Sequence, residues 1–138
     1  MDKKVVLVTG GSSGIGQAAA KALADCGCTV YEGSRRESEQ PGITHVYMDV
    51  TDEASVEAAV RQIREREGKI DVLVTCAGAG ISGAVEFTEA DAVRRQMDVN
   101  FMGTVHAVKA VLPWMRTAGC GRLVLISSVA AQFPIPFQ

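Results

Sequence analysis

The sequence predicts an α/β fold, a doubly wound parallel sheet of about five strands with helices on both faces. The first observation behind this reading is the run Val5-Val6-Leu7-Val8, apolar without a polar break, as in a strand buried on both faces. A turn of glycine and serine follows it, Thr9-Gly10-Gly11-Ser12-Ser13-Gly14-Ile15-Gly16, and then a helical pattern. The second observation is the alternation of short apolar runs with helix-period stretches along the whole chain. The third is that Thr9 to Gly16, Ser34-Arg35, Asp49, Cys76 to Gly78 and Ser127-Ser128 all fall at the carboxyl ends of expected strands. Sheets of this class bind ligands there, in the crevice where strand order reverses.

Taken in order, strand one covers Lys3 to Thr9 and helix one runs from Ile15 to Cys26. Ile15, Ala19, Ala22, Leu23 and Cys26 share one helical face, and Gly27 ends the helix. Strand two is Cys28 to Gly33, and a charged loop from Ser34 closes at Pro41-Gly42. Strand three is Ile43 to Met48. Thr51 or Asp52 caps a helix to Glu67 that buries Val56, Ala59, Val60 and Ile63, and Gly68 stops it. Strand four is Ile70 to Thr75. Thr88-Glu89-Ala90-Asp91 has the form of a capping box with Asp in place of Glu. A long helix follows with Val93, Met97, Phe101, Val105, Val108 and Leu112 inward, to be kinked or ended by Pro113. Strand five is Arg122 to Ser127. No internal repeat interrupts this order.

A chain of 138 residues buries one core, so residues 1–138 are read as one domain. The formal net charge of −2 gives no electrostatic reason to expect nucleic acid or an anionic membrane as partner. Behind Met1-Asp2-Lys3-Lys4 the apolar run is too short for a signal segment or a membrane span, so a cytoplasmic protein is expected. Cys26, Cys28, Cys76 and Cys120 lack metal-knuckle or redox-pair spacing, and His45 and His106 have no ligand-like neighbours. No metal site is expected.

The glycine turn carries the chemistry. A helix opening near Ile15 aims unpaired N–H groups and its positive dipole end at whatever lies above the turn, which suits a phosphate. Gly10 permits the tight exit from the strand, Gly14 lets a pyrophosphate approach the backbone, and Gly16 allows close helix packing. A P-loop is excluded, because Gln17-Ala18 stand where its Lys-Ser/Thr pair belongs. A methyl-donor site would call for an acidic residue near the end of strand one, where Thr9 stands.

The spacing Thr-Gly-x-x-x-Gly-Ile-Gly resembles the cofactor turn of the short-chain dehydrogenase/reductase family, and further motifs resemble that family in order and spacing. The resemblance implies a Rossmann-like dinucleotide-binding domain, incomplete at its C-terminal end. It implies cofactor contacts from Thr9, Gly10, Ser12, Ser13, Gly14, Ile15 and Gly16. Asp49-Val50 stand where the family holds adenine. Thr75-Cys76-Ala77-Gly78 stand in place of Asn-Asn-Ala-Gly, so Cys76 cannot repeat the amide hydrogen bonds, while Ala77 and Gly78 still permit close approach. Asn100 looks like the asparagine that helps hold a water in the proton relay. Ser128, with Ser127 as the fallback, looks like the serine that hydrogen-bonds the substrate carbonyl.

At the end of strand two, Ser34 occupies the place of the carboxylate found in NAD-type members, and Arg35 follows it, with Arg36 in reach. A hydroxyl and a cation favour a 2′-phosphate, so NADP(H) is expected over NAD(H). The implied activity is hydride transfer between the nicotinamide and an alcohol/carbonyl substrate. The implied full-length parent is a homodimer or homotetramer built through the long helix. The family's Tyr-x-x-x-Lys pair belongs on a helix beyond Gln138. Tyr31 and Tyr47 have no lysine at the required spacing, so the chain is expected to be a shortened form without turnover. The alternatives are a non-catalytic nucleotide-binding module and a non-functional gene fragment.

Overall fold

The computed structural model describes residues 3–137. Five parallel strands, β1 (Val5–Thr9), β2 (Thr29–Ser34), β3 (Ile43–Tyr47), β4 (Val72–Thr75) and β5 (Arg122–Leu125), form one sheet in the order β3-β2-β1-β4-β5. The chain builds outward from β1 to β3, then crosses back to place β4 on the other side of β1. That reversal opens a crevice at the carboxyl ends of β1 and β4. Thr9 pairs in register with both Gly33 and Thr75, so three strand ends lie level there.

Each face of the sheet carries its own core. On one, Leu7, Tyr31, Met48 and Leu73 pack with Val56 and Ile63 of α2 (Glu53–Glu67) and with Ala107 and Val111 of the last long helix. On the other, Val6, Val8, Val30 and Val74 pack with Ala20 of α1 (Gly14–Asp25). Alternate residues of β1 therefore serve opposite cores, which is why its sequence shows no polar break. The α2 expectations hold: Asp52 caps it by accepting from the Ala54 amide at 3.0 Å, and Gly68 closes it at φ +76°.

Two helix faces differ from the sequence expectation. In α1 the buried residues are Gly16 and Ala20, flanked by Leu23 and Ala24, whereas Ile15 is 68% exposed and Ala22 and Cys26 also face solvent. The fully buried positions of α1 are small residues, so of the expected face Leu23 reaches the core while Ile15, Ala22 and Cys26 do not. The long helix is three segments in one run: α3 (Ala90–Met97), a π turn (Asp98–Met102) and α4 (Gly103–Ala118). Its buried line is Gly103, Ala107, Val111 and Met115, while Val93, Met97 and Phe101 are exposed. The π turn takes an extra residue per turn and rotates the later face relative to the earlier one.

Pro113 neither ends nor breaks α4, which continues to a C-cap at Gly119 while Val111 and Met115 hold it on the core. The capping box does not form. Glu89 is the N-cap of α3, and the Thr88 hydroxyl instead donates to the Ala84 carbonyl at 2.9 Å.

Parallel neighbours normally need a crossover of about a dozen residues or more, usually a helix. Between β2 and β3, residues 35–42 suffice without one. This strap closes as expected at Pro41-Gly42, with the Ile43 amide donating to the Gln40 carbonyl at 3.1 Å and Gly42 at φ +77°. Among the described residues, no helix is long and apolar enough to cross a membrane.

These packing assignments predict a contrast. Leu73→Ala, at a position with 0% exposure, should cost about 2–5 kcal/mol in urea unfolding. Ile15→Ala should stay within about 0.5 kcal/mol of the parent chain, as for an exposed site.

Candidate functional site

The site is built on main-chain contact. β1 ends at Thr9, and Gly10 turns the chain at φ +67° while its amide donates to the Gly33 carbonyl at 2.8 Å. A Cβ at Gly10 would stand 2.7 Å from the Ala77 Cα, so the turn touches the segment after β4 backbone to backbone. A Cβ at Gly16 would overlap the Gly10 carbonyl oxygen, so the first turn of α1 sits directly on the same loop. Above this floor the helix end is open. Among the described residues, Ser13 gives no side-chain cap and the first turn holds no acidic residue. A Cβ at Gly14 would meet no described protein atom within 4 Å. Unneutralised amides and free space above them fit a pyrophosphate.

A cleft of about 350 Å³ extends from this seat across the strand ends. Its walls contain Gly10, Ser12, Ser13, Gly14, Ile15 and Gly16, then Ser34 and Arg35, then Asp49 and Val50, and finally Cys76, Ala77 and Gly78. The thirteen positions just named are all the expected cofactor residues except Thr9. Thr9 lies underneath, 1% exposed, and its Oγ1 accepts from the amides of Cys76 and Ala77 at 3.3 Å each. The loss of the family's asparagines after β4 is therefore offset from the β1 side.

Asn100 adds a second brace. Its Oδ1 accepts from the Ala79 amide at 2.8 Å and its Nδ2 donates to the Ala79 carbonyl at 2.8 Å. Both ends of the side chain are thus engaged with main chain, and the Asn100 carbonyl accepts from the Thr104 hydroxyl at 3.0 Å. The residue sits within the π turn, a distortion common at functional positions.

Charge in the cleft is organised around Asp49. Burial pushes its carboxyl up, but hydrogen bonds from the Thr51 hydroxyl and amide, with the nearby Arg35 cation, outweigh that and hold it below its ordinary 3.8. Arg35 and Arg36 are exposed at the rim, and the Ser34 hydroxyl donates to the Arg36 carbonyl at 2.8 Å. Burial raises the Cys76 thiol, which stays protonated near neutrality.

Ser128 is not a wall of this cleft. It is exposed beyond β5 and caps the short turn Val129–Ala131, its Oγ accepting from the Ala130 amide at 3.1 Å. Ser127 is exposed beside it. Tyr31 is 2% exposed and donates to Glu67 Oε1 at 2.5 Å. Burial first, then that partner, pushes its hydroxyl up to about 12, far from use as a proton donor near neutrality.

Gly33, Met48 and Val99 also line the cleft and carried no motif that would have marked them. Glu32 is the larger omission. It has 0% exposure, pairs with His45 across β2 and β3, and lies under Gly11, where an added Cβ would stand 2.6 Å from the Glu32 Cβ. A lone glutamate in an apolar strand was the available signal. Among the described residues, no group of three or more His, Cys, Asp or Glu side chains could hold a metal ion.

The short chain dehydrogenase family model matches residues 4–138. The chain belongs to this family. It is similar to a 3-ketodihydrosphingosine reductase of Bacteroides thetaiotaomicron, 43% identical over 139 residues that cover 100% of this chain and 52% of the relative. Among solved structures it is similar to the ligand-free aldohexose dehydrogenase of Thermoplasma acidophilum, with 37% identity and a TM-score of 0.90 over 94% of this chain and 51% of that one. It is also similar to a gluconate 5-dehydrogenase of Burkholderia cenocepacia in complex with NADP and tartrate. There the identity is 29% and the TM-score 0.91, over 99% of this chain and 58% of that one. The chain spans about half the length of the curated relatives it matches. The short-chain dehydrogenase fold, with its parallel sheet and an open crevice at the strand ends, is thus present in this chain.

Two outcomes follow from the site geometry. Gly16→Ala forces a Cβ into the Gly10 carbonyl and should cost about 1–3 kcal/mol in urea unfolding. Asp49 has its folded value depressed, so its stabilisation is fully present above its ordinary 3.8 and is lost as pH falls through the folded value. An acid titration of unfolding free energy should therefore drop less steeply in Asp49→Asn than in the parent chain.

Proposed function

We propose that the parent protein is an NADP(H)-dependent oxidoreductase acting on an alcohol/carbonyl pair, and that this stretch supplies its dinucleotide seat. One observation carries the reading: a single cleft has open helix amides at one end and Arg35 and Arg36 at the other, with Ser34 where a carboxylate would repel a 2′-phosphate. The NADP complex of the gluconate 5-dehydrogenase supports the cofactor class.

When bound, the nicotinamide supplies or accepts the hydride. The helix amides from Gly14 onward hold the pyrophosphate, and Asp49 with the Val50 main chain holds the adenine side. Arg35, with Arg36 beside it, binds the phosphorylated ribose. Ala77 and Gly78 admit the cofactor against the backbone, while Asn100 positions that wall by clamping Ala79 and helps to hold the relay water. Ser128 accepts a hydrogen bond from the Ala130 amide, which leaves its own O–H free to donate to a substrate carbonyl oxygen. The exposed apolar side of Val93, Met97 and Phe101 is the surface through which parent subunits would pair as a homodimer or homotetramer.

A second reading is favoured by one observation. The 138 residues contain no Tyr-x-x-x-Lys pair, and Tyr31 is committed to Glu67. On that reading this stretch by itself is a nucleotide-binding module without turnover.

Calorimetry decides the cofactor. NADP⁺ should bind at least about tenfold tighter than NAD⁺, the size of one charged hydrogen bond, and Arg35→Ala should remove most of that margin. Equal affinity of the parent chain for both would overturn the assignment. Carbonyl-dependent NADPH oxidation by this chain, lost in Ser128→Ala, would overturn its inactivity.

A further inference from the structure

The strap between β2 and β3 carries the two arginines, yet it has no helix to fix it. Its ends are secured by main chain: the Met48 amide donates to the Ser34 carbonyl at 3.1 Å, and the Ile43 amide to the Gln40 carbonyl at 3.1 Å. Between those points one side chain reaches back to the glycine turn. Gln40 Nε2 donates to the Gly11 carbonyl at 2.9 Å and to the Ser38 Oγ at 2.9 Å, spending both amide hydrogens. Gln40 is half-buried, whereas Arg35, Arg36, Glu37 and Glu39 around it are exposed.

We propose that Gln40 is a positioning residue that sets the preference for a dinucleotide bearing a 2′-phosphate, by fixing the arginine-bearing strap to the turn that seats the pyrophosphate. The inference rests on the NADP(H) reading above. A 2′-phosphorylated dinucleotide carries its two anionic sites at a span set by the adenosine between them. Both can be gripped at full strength only if the turn and the strap keep a fixed separation, and preorganising that separation removes an ordering cost from binding. A ligand without the 2′-phosphate makes no demand on the strap arginines and is indifferent to the tether. Register matters as well as rigidity. The strap carries Glu37 and Glu39 directly after the arginines, so a strap free to shift presents carboxylates to the phosphate. The anchor itself is firm, because Gly11 lies against the Glu32 side chain.

The test is Gln40→Met, which keeps length and removes the donor, with Ser38→Ala as a milder second variant that leaves Gln40 bound to Gly11. Calorimetry with NADP⁺ and NAD⁺ is run beside limited trypsin digestion after Arg35 and Arg36. In Gln40→Met, NADP⁺ affinity should fall about five-fold and NAD⁺ affinity less than about two-fold, the former being the size of one net hydrogen bond. Tryptic cleavage in the strap should be faster, and Ser38→Ala should move both readouts the same way by less. Equal losses for the two dinucleotides, or an unchanged affinity ratio with unchanged cleavage, would overturn the role of Gln40 and leave the NADP(H) reading standing. A parent chain that binds NAD⁺ as tightly as NADP⁺ would overturn that reading and this inference with it.

Discussion

The contact between the first turn of α1 and the Gly10 carbonyl governs the rest of the structure. There is no room for a side chain at Gly16, and Gly10 meets the Ala77 backbone with equal closeness. Three elements, the end of β1, the start of α1 and the segment after β4, therefore meet backbone to backbone at Gly10 and Gly16, and the Thr9 hydroxyl ties the first to the third. This has two consequences. The amides that open α1 stay aimed over the sheet rather than being drawn off by a cap, because Ser13 gives none. The line of α1 that faces the sheet is Gly16, Ala20, Leu23 and Ala24, small where it meets the glycine turn, and Ile15 stands out toward the cleft and solvent.

The same economy of space explains the polar pair inside the sheet. On the α1 side of the sheet, Ala20 packs on Val30 of β2, and Glu32, two residues further along the strand, is covered by the Gly11 turn and is 0% exposed. A buried carboxylate needs partners, and His45 supplies one on the neighbouring strand. The second oxygen, Oε2, has no hydrogen-bond partner among the described residues, and so does the buried Thr75 hydroxyl at the end of β4. Unsatisfied groups of this kind reduce stability. Both lie at the strand ends that form the floor of the crevice. The stability that holds this floor comes from the apolar residues one to three steps back along the strands, Val6, Leu7, Val8 and Leu73.

What the sequence revealed, and what it hid, follows from side-chain size. Strands buried on both faces announce themselves, as Val5 to Val8 do, and the turn glycines are legible because the backbone conformation demands them. Helix faces were misread where close packing selected small residues. Gly103 abuts Val50 and opens the buried line of α4, so Met97 and Phe101, which dominate the pattern, point away. The π turn has no sequence marker of its own, and it shifted the phase between α3 and α4. That the expected cofactor residues would line one cleft was legible because all of them fall at the carboxyl ends of parallel strands. Gln40 was not, since its role depends on a strap folding back across strands, a relation that local spacing does not encode.

The strand order also separates the cleft from Ser128. All walls of the cleft lie between Gly10 and Val99, on the turn after β1 and the ends of β2, β3 and β4, with one residue from the π turn. Ser128 stands past the end of β5, on the far side of β4, where Leu125 is 54% exposed and Ile126 is 44% exposed. The seat is closed before the chain reaches β5, and its braces, from Thr9 and Asn100, are closed as well. The cleft and the Ser128 turn are therefore built on different strands with different support. The first rests on two packed cores and backbone contact, and the second on an edge strand whose apolar side is uncovered. A change at β5 can alter the Ser128 turn while leaving the glycine turn intact, whereas a change at Gly10 or Gly16 disturbs the backbone contacts on which the cleft depends.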